Sequence, residues 1–224
     1  MYDRQYMKKV VAVLLSAAVS LVARAQQEAP KGATASTQEK PAAGQPSESD
    51  IMAMMMELAK PGDNHKLLAH GVGTWTYTVK AWMSPDPKAP PSESTGMTVV
   101  KEALGGRYFI GEHSGKFQMP GPDGKPMELD FKGISTEGYD NAKKMFVATW
   151  IDNMGTGIAY LMGTYDSGTK TFTYRGEEEM MPGVKTKVRE VLKITDNDHH
   201  MFEWYEDRGG TEVKTMEINY TRKS

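Results

Sequence analysis

The chain has 224 residues, 39% of them hydrophobic and 25% charged, with a formal net charge of −2 and no cysteine. Without cysteine there is no disulfide, no thiolate metal site, no cysteine nucleophile and no thioether lipid anchor. The first 25 residues hold Arg4, Lys8, Lys9 and Arg24 against Asp3; without them 23 basic and 28 acidic residues remain, a net of −5 that argues against a nucleic-acid partner.

Lys8 and Lys9 precede an apolar run, Val10 to Ala23, broken only by Ser16 and Ser20, and the run ends in Ala23-Arg24-Ala25. A basic start, a short apolar stretch and a small-x-small ending are the three parts of a secretory signal, so residues 1–25 read as a signal peptide cleaved after Ala25. The run falls short of the roughly 20 residues of a membrane span. Because Arg24 sits inside the cleavage pattern, an uncleaved anchor is the alternative. Residues 26–50 carry no aromatic residue and no Val, Ile, Leu or Met. Such a segment cannot offset its ordering entropy by burial and reads as a disordered linker. Leader and linker together point to a periplasmic or secreted protein with no stable membrane span after cleavage.

Residues 51–71 read as short helices. Ser49 and Asp50 can cap a helix Ile51–Lys60, which Pro61-Gly62 stops; Asp63 or Asn64 can cap a second, His65–His70, which Gly71 ends. The first is rich in methionine, a gap-filler of adaptable apolar faces, and is expected to lid the barrel described next or to dock on its wall. Met52, Met54, Met55 and Met56 with Met180-Met181 are a soft-metal alternative.

From residue 72 to 224 the pattern is one of short alternating strands between turn signals. Ten strands are read: Gly73–Met83, Thr95–Ala103, Arg107–Gly115, Glu128–Tyr139, Met145–Asn153, Gly157–Tyr165, Thr171–Glu179, Lys185–Thr195, His200–Asp207 and Glu212–Arg222. Tyr139-Asp140-Asn141-Ala142-Lys143-Lys144-Met145-Phe146 is echoed by Tyr165-Asp166-Ser167-Gly168-Thr169-Lys170-Thr171-Phe172, and more loosely at Thr195-Asp196-Asn197-Asp198. In each, an Asp can accept from backbone N–H groups of a hairpin turn. Short connections favour an antiparallel meander, and closing it removes the exposed edges. The expected fold is therefore all-β, an antiparallel up-and-down β-barrel of eight to ten strands behind short N-terminal helices, with no sign of oligomerisation beyond a monomer or weak dimer.

Alternation places Trp75, Tyr77, Val79 and Ala81 on one face of the first strand and Met216, Ile218, Tyr220 and Arg222 on one face of the last. If those strands pair, the Arg222 guanidinium can lie over the Trp75 indole. Gly73-Thr74-Trp75 with a terminal arginine resembles the closed-end signature of the calycin superfamily, which includes the lipocalins. His65-x-x-Leu68, Leu104-Gly105-Gly106-Arg107-Tyr108, Gly138-Tyr139-Asp140-Asn141, Thr149-Trp150-Ile151-Asp152-Asn153-Met154-Gly155-Thr156-Gly157 and Tyr220-Thr221-Arg222 together resemble the bacterial domain-of-unknown-function family 1579. That resemblance implies a lipocalin-like barrel over His65 to Arg222. It implies no reaction, cofactor or catalytic residue.

On the fifth strand Phe146, Ala148, Trp150 and Asp152 share a face; on the eighth Val188, Glu190, Leu192 and Ile194 do. With the apolar faces inward, Asp152 and Glu190 enter the barrel. Each then needs a partner, Arg222 or Arg107, or must shift its pKa. They read either as structural ion pairs or as polar anchors for a ligand. Gly105-Gly106-Arg107 reads as a hairpin turn with a structural arginine, or as an anion nest. His199-His200 falls in a polar turn and reads as solvated; His113 can face either way, and an inward histidine would permit haem. The cofactor is otherwise unknown, and no metal site is read.

The expected function is to bind a small, partly apolar, hydrophobic or amphipathic molecule in the lumen. Trp75, Tyr77, Trp150 and Tyr220 would supply contact area, and Arg107, Asp152, Glu190 and Arg222 orientation. The alternatives are a hydrolase or isomerase using an inward carboxylate, and a scaffold whose lumen its own side chains fill.

Overall fold

The computed structural model describes residues 46–84, 88–120 and 126–223. The signal peptide read over residues 1–25, and the linker as far as residue 45, lie outside these residues. Helix α1 (Glu48–Leu58) starts earlier than expected and takes three residues assigned to the linker. Glu48 and Asp50 stand in its first turn, where a carboxylate meets the positive end of the helix dipole. No residue of α1 is buried, and Met54, Met55 and Met56 are all exposed. The helix therefore neither lids the barrel nor lies along its wall. Its end is tied down: Asn141 Nδ2 donates to Leu58 O and Lys60 O, both at 2.8 Å, and Arg107 Nε donates to Ala59 O at 3.0 Å. These donors satisfy carbonyls that a helix C-terminus leaves unpaired.

Helix α2 (Asp63–Leu68) runs into a 3₁₀ turn (Ala69–Gly71), somewhat ahead of the expected His65–His70. Gly62 N–H donates to His65 Nδ1 at 3.0 Å, and His65 and Leu68 are buried.

Ten strands follow: β1 (Gly73–Ala81), β2 (Ser92–Ala103), β3 (Tyr108–Pro120), β4 (Pro126–Asp140), β5 (Met145–Asp152), β6 (Ala159–Asp166), β7 (Thr171–Met181), β8 (Val184–Ile194), β9 (His199–Asp207) and β10 (Glu212–Arg222). Each pairs antiparallel with its chain neighbours, and β10 returns to β1, so the barrel is closed. β3 and β4 run further than expected, as far as the Pro120–Pro126 pair, because alternation continues past the glycines that suggested an end. β6 starts later, since Gly155-Thr156-Gly157 stays in the connection.

The repeated hairpins form as the echo in the sequence implies. Asp140 Oδ1 accepts from Ala142 N (2.9 Å) and Lys143 N (3.0 Å), and Asp166 Oδ1 from Gly168 N (2.7 Å) and Thr169 N (3.2 Å). Lys144 and Lys170 each close their turn at φ 54°. Asp196 Oδ1 does the same for Asp198 N at 2.8 Å. These three turns, with Leu104–Arg107, lie at the end where α2 sits. The connections after β5, β7 and β9 lie at the other end, the mouth.

The α2 end is sealed. Trp75 pairs with Arg222 in the β1–β10 register, and the guanidinium lies 4.1 Å from the indole centroid. Arg222 Nη1 donates to Val72 O (2.8 Å), Nη2 to His70 O (3.1 Å) and Nε to Asn197 O (3.0 Å). Trp75 Nε1 donates to Gly71 O at 2.8 Å. One arginine thus ties together the 3₁₀ turn, the β8–β9 turn and the barrel seam. Gly73, at φ +136°, is required here: a Cβ would sit 2.5 Å from Arg222 Nη1.

His200 corrects the sequence reading. It is not solvated in a turn but buried on the inner face of β9, 4.2 Å from the Trp75 ring, with Nε2 2.9 Å from His70 Nδ1. Only His199 stays exposed, against Asp196. Above this knot Phe109, Phe146, Leu161, Phe172 and Tyr174 pack with Leu68 from α2 as the core. The same cluster takes in Ala148, Ile194 and Val188, the last opposite Glu206 in the β8–β9 register, so it reaches beyond the sealed end.

Candidate functional site: the barrel lumen

Register decides which side chains point inward. Glu137 of β4 faces Ala148 of β5, Tyr174 of β7 faces Glu190 of β8, Glu190 faces Trp204 of β9, and Tyr220 of β10 faces Tyr77 of β1. Several large inward rings lie flat against the wall because the residue beneath them is glycine. Tyr77 covers Gly96, Trp150 covers Gly133 and Tyr174 covers Gly163; at Gly133 a Cβ would come within 2.5 Å of the indole. Rings held flat do not cross the lumen. Accordingly Glu137, Glu190, Trp150, Phe202, Trp204 and Tyr220 are only partly buried although they point into a closed barrel.

Deep in the barrel stand two carboxylates. Burial pushes Glu137 up to about 7. Burial, then the charges of Glu137 and Glu178, pushes Glu190 up to about 8. Among the described residues no group donates a hydrogen bond to either, and neither Arg222 nor Arg107 approaches them. Neither carboxylate is therefore a structural ion pair. Tyr174 lies within range of both charges, is wholly buried, and its Oη has no hydrogen-bond partner. Burial, then Tyr77 and the two glutamates, also raises Tyr220 above the usual phenol range. Buried polar groups in native proteins are nearly always paired, and leaving one unpaired costs about 1–3 kcal/mol.

Nearer the mouth, His113 is inward. Its Nδ1 lies 2.8 Å from Thr98 Oγ1, its Nε2 3.1 Å from Ser135 Oγ, and Trp150 meets it edge-on at 4.8 Å. Burial lowers it to about 4, so it is neutral. With both ring nitrogens engaged it has none left for haem iron. Asp152 accepts from Trp150 Nε1 at 2.7 Å and from Met154 N at 2.8 Å. Glu178 and Glu206 complete an acidic rim, Glu206 being paired with Arg208 at 3.1 Å.

The residues read from the sequence thus separate into four places. Glu190, Tyr220 and Tyr77 line the lumen, with Tyr77 Oη donating to Ser114 O at 3.0 Å. Trp150 and Asp152 stand towards the mouth. Trp75 and Arg222 belong to the sealed end, where their donors are used within the protein. Arg107 lies outside the barrel, its Nη1 donating to Leu104 O at 2.9 Å and its Nε to α1, so neither a lumen role nor an anion nest fits it. Met52–Met56 and the Met180-Met181 hairpin lie at opposite ends of the barrel, which separates the two halves of the soft-metal alternative. Among the described residues no group of three or more His, Asp or Glu side chains is placed to hold a metal ion. A shallow groove of about 330 Å³ lies outside the wall, between Leu58, Tyr108, Val147 and Tyr160.

Glu137, Tyr174 and His113 were missed as site residues. The alternation of Gly133, Ser135, Glu137 and Tyr139 could have found Glu137. The opposite face carries Ile134, which is exposed, and an outward isoleucine disguises which side of β4 is the interior.

The profile of the family described as "Protein of unknown function (DUF1579)" matches residues 60–222. Among solved structures the chain is similar to one described as "Crystal Structure of Rv2717c from M. tuberculosis", at 13% identity and a TM-score of 0.51, over 74% of this chain and 100% of that one. At that identity the likeness shows the fold alone. No curated protein matches the chain.

Proposed function

The chain belongs to the DUF1579 family, and we propose from its interior that it is an exported binding protein holding a small, partly apolar molecule in the barrel lumen. One observation carries this reading: Glu137, Glu190 and the Tyr174 hydroxyl stand unpaired in the middle of a lumen walled by Tyr77, Phe202, Trp204 and Tyr220. Apolar walls with a few convergent polar groups are what a small-molecule site requires. A scaffold filled by its own side chains would instead satisfy its buried polar groups or replace them with apolar ones. Export rests on the basic, apolar and small-residue pattern of residues 1–25; among the described residues no helix is long and apolar enough to cross a membrane.

Native mass spectrometry of the protein purified from its own cells tests the binding reading. The expected result is a reproducible mass excess that disappears on denaturation, on a chain that begins at Gln26. A bare polypeptide, unchanged after exposure to the cell's own small-molecule extract, would overturn binding; a chain beginning at its first residue would overturn cleavage.

A carboxylate held near neutrality also suits general acid–base chemistry, which favours a hydrolase or isomerase as the second reading. In that case the bound mass would convert during incubation, and Glu190→Gln would trap it unconverted.

A further inference from the structure

We propose that the lumen is built for an organic cation: a singly charged ammonium on an aromatic or alkyl body, seated between Glu137 and Glu190. This rests on the binding reading above and names the chemistry of its ligand.

The sign of charge along the inner wall is the first observation. Among the described residues between the sealed end and the mouth, the charged side chains that register turns inward are Glu137, Asp152, Glu178, Glu190 and Glu206. Every one is acidic. Arg222, the inward cation, is spent on three backbone carbonyls and the Trp75 ring at the sealed end. The lysines and arginines of the same strands face outward: Lys187 opposite Glu177, and Arg175 and Arg189 opposite each other, both binding Glu212. A low-dielectric tube lined by one sign of charge focuses its field on that axis and favours the opposite charge inside it.

The second observation is that the deepest members of the series are incomplete. Asp152 is satisfied by Trp150 and Met154, and Glu206 by Arg208 and the Thr215 hydroxyl at 3.1 Å. Glu137 and Glu190 have no such donors, and the Tyr174 hydroxyl beside them has no acceptor. Burying a carboxylate without a partner is costly, and two together cost more. An ammonium group supplies what is missing: one positive charge and three N–H donors. Burial disfavours the ionised form of both, and the Glu137 charge disfavours that of Glu190 further; an ammonium beside them offsets both effects.

The third observation is the surrounding surface. Tyr77 and Tyr220 stand 5.6 Å apart at 62°, and Phe202 and Trp204 are stacked, at 6.5 Å, on the next strand. Ring faces attract a cation through their quadrupoles and also cover an apolar body. An anionic ligand would meet repulsion from every inward carboxylate, and a neutral one would leave the charge uncompensated.

The test uses three probes of one shape, phenethylamine, phenethyl alcohol and 3-phenylpropionate, titrated into ligand-stripped refolded protein by calorimetry. Phenethylamine should bind at least about tenfold more tightly than the alcohol, and the propionate should give no heat. The affinity for the amine should climb between about pH 5 and pH 8, as Glu137 and Glu190 lose protons. The other titratable groups facing the site are Tyr77, Asp152, Tyr174, Glu178, Glu206 and Tyr220. Burial raises Glu178 as well, so it adds to the climb in the same sense, and burial raises the three tyrosines, which stay neutral throughout. His113 is neutral above about 4 and does not contribute.

Glu190→Gln and Glu137→Gln, which remove a buried charge without removing volume, should each weaken the amine at least about tenfold and leave the alcohol nearly unchanged. Equal or tighter binding of the alcohol or the propionate would overturn the cation and leave a lumen ligand standing. So would a neutral or anionic adduct in the native mass spectrum. No heat from any probe, together with a bare native mass, would overturn both.

Discussion

Replacing Trp75 with alanine is expected to lower the stability of the barrel by about 3–5 kcal/mol, the usual cost of emptying a buried aromatic site. The indole is 2% exposed, packed between the Arg222 guanidinium and the His200 ring, with Nε1 bonded to Gly71 O. Its loss removes a cation–π contact worth about 0.5–2 kcal/mol and leaves Arg222 over a void. For a domain of this size the melting temperature should drop by roughly 10 °C. The damage should also be local. β1 and β10 close the barrel at this point, so amide exchange at Thr76, Tyr77, Asn219 and Thr221 should accelerate more than at β6 and β7. Denaturant unfolding and hydrogen exchange measure the two effects. A variant within about 1 kcal/mol of the parent, with uniform exchange, would show that the seam does not depend on this knot.

The stability of the ligand-free protein should fall as the pH rises from about 6.5 to 8. A carboxyl whose pKa is raised on folding stays protonated in the native state while the unfolded chain has already ionised, so the native state loses stability between the two values. For Glu137 that window runs from 4.5 to about 7, and for Glu190 from 4.5 to about 8. His113 and His200 act in the opposite sense. Burial lowers both from 6.5 to about 4, aided for His200 by His70 and Arg222, so between those values the unfolded chain binds the extra protons and stability rises with pH. Each group changes stability by about 1.4 kcal/mol per pH unit within its window.

From 4.5 to 6.5 the two pairs oppose each other and the profile should be nearly flat. Above 6.5 only the glutamates remain, and roughly 2–3 kcal/mol should be lost by pH 8. Glu190→Gln should remove most of that fall and be the more stable protein at pH 8, while leaving the loss below pH 4.5, to which the histidines and the lowered carboxylates Asp140, Asp196, Glu212 and Glu217 contribute. Urea unfolding across this range decides the matter. A parent protein that gains stability from pH 6.5 to 8 would mean that both carboxylates have found donors.

Much of the barrel was legible in the residues because its determinants are local. Strand periodicity, the paired Tyr-Asp hairpins and the glycine turns each act within a few positions, and all ten strands are where they were read, nine differing only at their ends and Glu212–Arg222 coinciding. The Trp75–Arg222 contact was legible too, because once the meander closes, β1 and β10 must meet and alternation leaves few partners. What local pattern could not supply was how the inward side chains divide among a sealed end, the middle of the barrel and a rim. Arg107 and Glu190 illustrate this. Both are charged residues beside apolar strands, yet one is drawn outward by the bare carbonyls of α1 and the other is held inside by the register of β8 against β7 and β9.

The methionine-rich helix shows the same limit from the other side. Its composition makes α1 a helix, and the acidic residues in its first turn set where it begins. Whether its apolar side chains are covered depends on what stands opposite them, and at its end the barrel offers the polar Asn141 and Arg107. His200 lay in a stretch as polar as any in the chain, and is buried because β9 carries it across from Trp75.

By itself, then, the amino-acid sequence determined the strands, their turns, the antiparallel order and the seam, since each follows from backbone preference and period-two alternation. Only the tertiary structure decided that Glu137, Glu190 and Tyr174 share one unpaired centre. These residues lie on three strands and up to 53 positions apart in the chain, and their meeting depends on the stagger of a closed barrel. Their cost follows from the absence of any donor there, a property of the enclosed space rather than of any one residue.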